Sequence, residues 1–174
     1  MTPGARPAFG YDINDSGDVT GELEFDAFRT DGDTILDISG ALSGITTGEA
    51  INASGQVAII QERPDLHDAW RWSPGVGLED LGLAATDARV FAHGLNSAGD
   101  VVGRGRPVNS PEVAGGYLFR DGLGALDLSS LLVDRHQHWY ISEAWDINDS
   151  GQIVARALNL RTGEAAGVRL DPVP

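Results

Sequence analysis

The chain contains no cysteine, so neither a disulfide frame nor thiolate chemistry is open to it. It is poor in positive charge: 12 Lys and Arg stand against 26 Asp and Glu, a formal net charge of −14. A field of that sign repels phosphate backbones and anionic bilayers, which argues against nucleic acid as a partner and against membrane insertion. No apolar run approaches the roughly 20 residues that cross a bilayer as a helix. No apolar h-region stands in the opening MTPGARPAFG, so no signal peptide is visible there. No helix-period segment stands out either. The 174 residues suffice for one domain with a core of its own.

What is present is a repeat. Residues 145–154 read WDINDSGQIV, and the pattern returns as YDINDSGDVT (11–20), EAINASGQVA (49–58) and HGLNSAGDVV (93–102). Each copy has an aliphatic anchor (Ile13, Ile51, Leu95, Ile147) followed by Asn, with Gly three residues later and then a β-branched residue. Asn can bond backbone amides ahead of it, and Gly accepts positive φ, so the block predicts two strands joined by a type I turn. Aromatic stretches follow: DAFRTDG (26–32), DAWRWSPG (68–75), GYLFRDG (116–122) and a faded AGVRLDP (166–172). They predict a third strand. Three units close with LDIS (36–39), EDLG (79–82) and LDLS (126–129), a short fourth strand with a central Asp.

The expected fold is therefore all-β: a small β-propeller of about four blades of four-stranded antiparallel meanders, the last blade incomplete. The anchors lie 38, 44 and 52 residues apart, periods that suit such blades. The single domain spans 1–174, with units at about 8–43, 44–88, 89–140 and 141–174. Small residues three positions before each anchor (Gly10, Gly48, Ala92, Ala144) predict close packing of the first strands.

The turns after the first and third strands are short. The long connections, 61–68, 104–115 and 130–138, all fall on the opposite face, and insertions confined to one face mark a recognition surface. The candidate ligand-binding residues there are Trp139, Tyr140, His136, His138, Arg104 and Arg106. Asp12, Asn14 and Asp18, with Asp146 and Asn148, have oxygen-ligand spacing that fits calcium, but a plain hairpin turn explains the same residues. No catalytic constellation is found, since there is no Gly-x-Ser-x-Gly elbow. The recurrent Asp37, Asp80 and Asp127 are expected to accept backbone amides between blades.

The combination of INDSGQIV (147–154), DAWRW (68–72) and LEDLG (78–82) resembles the HAF repeat, found in bacterial, mostly exported proteins, and the chain is similar to the C-terminal portion of such proteins. The residue before the Ala of that motif is Asp26 or Asp68 here, not His. The resemblance implies a propeller-like fold and an extracellular or cell-surface location, and no activity. The leading functional expectation is a non-enzymatic binding or structural module. Its partners are a protein or glycan on the long-loop face, or a second copy through the incomplete last blade. The alternatives are a secreted glycan-acting hydrolase or lyase, and a purely architectural spacer.

Overall fold

A computed structural model describes residues 7–64, 66–82, 90–105, 115–133 and 138–173. The chain is all-β and forms four antiparallel sheets, each a meander of consecutive strands. The first holds β1 (Ala8–Ile13), β2 (Val19–Leu23), β3 (Asp26–Asp31) and β4 (Thr34–Asp37). The second holds β5 (Ile45–Ile51), β6 (Val57–Arg63), β7 (Leu66–Ser73) and β8 (Gly77–Asp80). The third holds β9 (Phe91–Leu95), β10 (Val101–Gly105), β11 (Gly115–Arg120) and β12 (Gly124–Asp127), followed by a 3-10 turn at Leu128–Leu131. The fourth has three strands, β13 (Trp139–Ile147), β14 (Ile153–Asn159) and β15 (Ala165–Leu170). The expected loop at 61–68 is mostly strand: β6 and β7 pair as far as Arg63 and Leu66, and an Arg63–Asp68 ion pair braces that end.

The turn chemistry explains the hairpins. In each block the Gly amide bonds the Asn carbonyl three residues back, as from Gly55 to Asn52 at 3.0 Å. The Gly then takes positive φ, 75° at Gly55 and 86° at Gly17, where a Cβ would be strained. The Asn side chain supplies the rest: Asn52 Oδ1 accepts from the Ser54 and Gln56 amides at 3.1 and 3.0 Å.

The sheets pack face to face in chain order, and each turn Asn carries the junction. Asn14 Nδ2 donates to the Asn52 carbonyl at 3.1 Å, Asn52 to Asn96 at 2.9 Å, and Asn96 to Asn148 at 3.4 Å. Around this ladder the apolar residues form three clusters. Ala27 and Ile38 of the first sheet meet Ile51, Val57 and Ile59 of the second. Ala58 and Ile60 meet Leu95, Val101 and Phe119. Val102 and Leu118 meet Ile141, Ile147 and Ile153. Close approach is required at Gly48, where a Cβ would lie 2.1 Å from Thr20 Oγ1 of the preceding sheet.

The closing Asp residues act within their own unit rather than between units. Asp37, Asp80 and Asp127 accept from the Ser39, Gly82 and Ser129 amides, at 2.8, 2.8 and 2.9 Å. Each thereby fixes the residue between (Ile38, Leu81 or Leu128), which is buried against the next sheet.

Two predictions follow from this packing. Tyr117 is fully buried and its hydroxyl has no hydrogen-bond partner among the described residues, so Tyr117→Phe removes an unsatisfied group. The variant is expected to be more stable by about 1 kcal/mol in denaturant melts. Asn→Asp keeps the turn acceptors and deletes the ladder donor. At buried Asn52 it is expected to cost about 2 kcal/mol, and much less at Asn148, which among the described residues donates to no further unit.

Candidate functional site

The first strand of every sheet carries a bulge at the same place, two residues before the aliphatic anchor. Gly10 and Asp12 face consecutive residues Gly21 and Thr20 of β2, so Tyr11 is extra. The same skip leaves out Glu49, His93 and Trp145. A bulge bends its strand and re-aims the extra side chain. These first strands are spatial neighbours, so the four bulge residues fall in sequence along the array.

At one end of this row the rings of Phe91 and His93 stack at 5.5 Å, and His93 stacks on Trp145 of the next sheet at 4.7 Å. His93 Nε2 lies 3.3 Å from Glu143 Oε1. Desolvation nevertheless lowers the His93 pKa, outweighing the carboxylate that raises it. Toward the other end, burial first and Glu62 second push the Glu49 carboxyl up to about 7. The Tyr11 phenol is raised by burial and by the carboxylates Glu22, Glu49 and Glu62. The aliphatic anchor, the Asn and the Gly of the repeat stay in place while this position reads Tyr, Glu, His and Trp. That variability was visible in the repeat alignment; the bulge that gives it meaning depends on strand register and was not.

The predicted ligand-binding residues divide. Trp139 packs against the core between the third and fourth sheets, while Tyr140 sits where Cβ of Gly115 would come within 2.3 Å of its hydroxyl. Burial raises the Tyr140 pKa, Asp127 adds to it and Arg104 opposes it, so these three are close in space. His138 has φ of 53° and its carbonyl accepts the Leu160 amide at 2.8 Å. His136 and Arg106 lie outside the described residues.

The calcium-spaced oxygens are engaged by protein donors. Asp12 accepts from the Ile13 and Ile51 amides at 2.9 and 2.8 Å, and Asp146 from the Ile147 amide at 2.8 Å. Asn14 and Asn148 accept from their turn amides. Asp18 pairs with Arg29 at 3.2 Å. Among the described residues there is no group of three or more His, Asp or Glu placed to hold a metal.

One junction departs from the others. Arg29 reaches from the first sheet to the Gly55 carbonyl at 3.3 Å, and Arg71 from the second to the Gly99 carbonyl at 2.6 Å. Their guanidinium groups also lie over Trp72 and Phe119, at 5.6 and 5.2 Å. Strand register puts Leu118 at the equivalent place in the third sheet, since it pairs with Val102 as Arg71 pairs with Ala58. Among the described residues no arginine clamp reaches Gly151, whose nearest neighbour for a Cβ is Pro172 at 3.5 Å. A cleft of about 500 Å3 opens there, lined by Leu118, Leu128, Leu131, Ile153 and Leu170 among others. A second, of about 370 Å3, shares Leu132, Val133, Arg169 and Leu170 with it and runs over Trp139, Ile141 and Val168. Together they form a largely apolar groove, with Arg120, Arg169 and Asp171 also in its lining, beside β15, which is the edge strand of the fourth sheet.

The raised Glu49 carboxyl gives a pH prediction. The fold holds its proton to about pH 7, whereas the unfolded chain loses it near the ordinary value of 4.5, so stability falls as pH rises through that window. His93 acts oppositely: its lowered pKa removes stability as pH falls below the usual histidine range. Glu49→Gln is expected to abolish the first slope. Allowing for the partial exposure of Glu49, the gain is about 1 kcal/mol at about pH 8 and close to nothing at about pH 4, read from denaturant melts.

No family model matches the chain, and no curated protein is significantly similar to it.

Proposed function

We propose that the chain is a non-enzymatic binding or structural module, an open array of β-propeller blades similar to HAF-repeat proteins and acting outside the cell, whose fourth sheet receives an extended polypeptide strand. The observation that carries this reading is the combination of edge and groove at the fourth sheet. In the first three sheets the third strand is covered by a fourth, with Phe28, Trp70 and Tyr117 facing Asp37, Asp80 and Asp127 in register. In the fourth sheet β15 is the edge, and Val168 stands at the place of those aromatics, paired to Ala155 as Trp70 is to Ile59. A strand added to β15 gains main-chain hydrogen bonds from an edge that offers them, and every second side chain enters an apolar pocket. The groove supplies those pockets, from Leu132, Trp139, Ile141, Val168 and Leu170. The exported location and the propeller assignment rest on the INDSGQIV, DAWRW and LEDLG motifs.

The test uses a synthetic peptide with the chain's own fourth-strand sequence, GALDLSSLL (residues 124–132). Binding is expected to shift Trp139 fluorescence and to slow amide exchange in β15, leaving β4, β8 and β12 unchanged. A Val168→Asp substitution, at a half-buried position, is expected to weaken binding at least about tenfold. Equal protection by a scrambled peptide, or no protection of β15, would sink the reading.

A further inference from the structure

Each sheet shows one kind of face to the unit before it and another to the unit after it. The leading face carries the anchor and the β-branched residue: Ile51 with Val57, Leu95 with Val101, Ile147 with Ile153, all buried against the preceding sheet. The trailing face carries the donors, the turn Asn amide and the clamp arginine, which reach the Asn and Gly carbonyls of the next turn. At the two ends of the array these faces are exposed. Unit 1 presents Ile13, 63% exposed, with Phe9 and Tyr11, 55% and 51% exposed. Unit 4 presents Val154, in the register place of buried Ala58 and Val102, at 49% exposure.

The polar groups at the ends match as well. Asn148 donates to Gln152 as Asn52 does to Gln56, at 2.9 and 2.8 Å, yet among the described residues its amide lacks the second, inter-unit acceptor that Asn52 has. The Asn14 carbonyl accepts from Gly17, while the other three turn carbonyls accept an Asn from the previous unit in addition. Arg169 pairs with Val154 as Arg71 pairs with Ala58, so it stands where the clamps stand, and Gly17 is the counterpart of the carbonyls they hold. The bulge row ends in the same way: Trp145 stacks one side on His93, and the residue that would follow it in the repeat is Tyr11.

From this continuity with the internal junctions we propose that copies of this chain dock head to tail, the outer face of unit 4 on one copy against the outer face of unit 1 on the next. Asn148 then donates to the partner's turn carbonyl, the arginine clamps its glycine carbonyl, and Trp145 stacks on its tyrosine. The contact is weaker than the internal ones for two reasons. Thr30 occupies the place of Trp72 and Phe119, which leaves the clamp without an aromatic base. Asp149, which receives the Ser97 amide and hydroxyl across the third junction, would meet its own counterpart Asp15, a pair of like charges. Association is therefore strengthened by salt, the reverse of a salt-bridged interface.

Sedimentation velocity on the full chain tests this, across concentrations from roughly micromolar to millimolar. The mass is expected to rise with concentration and with added sodium chloride. Ile13→Arg and Val154→Arg alter exposed residues at opposite ends, and each alone is expected to leave a monomer. A 1:1 mixture of the two retains one good face of each kind and is expected to give a dimer and nothing larger. Three outcomes overturn the proposal: a parent chain that stays monomeric throughout, as ring closure within one copy would give; association that survives both substitutions, as pairing through β15 would; and a mixture that stays monomeric. The peptide test on β15 reads a different surface, so the two readings fail separately.

Discussion

Everything in this structure depends on one side chain used two ways. The asparagine after each aliphatic anchor turns its carbonyl oxygen onto the amides of its own hairpin and its amide onto the backbone of the next unit. An Asp or Ser can cap a turn of this kind, but neither offers an acceptor and a geometrically fixed NH2 donor from one group. Because the same residue sets the hairpin and the stacking distance, the units need not match elsewhere. That explains how repeats separated by 38, 44 and 52 residues still stack in register.

Where the repeat rule lapses, the lapse is local. Replacement of the clamp arginine by Leu118 leaves the ladder intact at the third junction, with Asn96 to Asn148 at 3.4 Å, longer than the other two rungs. The cleft lies beside this junction, lined by Leu118 of the third sheet and by Gly151, Ile153 and Leu170 of the fourth. Leu118 offers apolar wall where Arg29 and Arg71 offer donors, and the cleft lies at the junction that has the leucine.

Much of the fold was legible in the sequence because its determinants are local. Asn, Gly and a β-branched residue at fixed offsets dictate a hairpin wherever they occur, and the missing fourth strand showed as a missing LDIS-like segment. The candidate site was less legible. Tyr11, Glu49, His93 and Trp145 align in the repeat, but that each is the extra residue of a bulge depends on a one-residue register skip, and that skip is fixed by pairing with the second strand. Asp37, Asp80 and Asp127 were assigned to bonds between units because recurrence suggested it; their short side chains bond the amide two residues on. The spacing of the repeat motifs marks 61–68 as a long connection, whereas the pairing of Arg63 with Asp68 across strands supports a longer hairpin.

An array whose units bury one face against the next must end with two unlike faces, and charge decides what such ends can do. Exposed Phe9, Tyr11 and Ile13 on one side and Trp145 and Val154 on the other would drive indiscriminate association in a neutral chain. Here the net charge of −14 opposes every encounter, apolar or not. An encounter that brings the faces together in any other orientation keeps that repulsion and forms no Asn–carbonyl or Arg–carbonyl bonds. The geometry that continues the repeat is the one in which directional bonds offset it. Acidity thus acts as the filter and the ladder as the key, and both follow from residues that first serve the fold within a single chain.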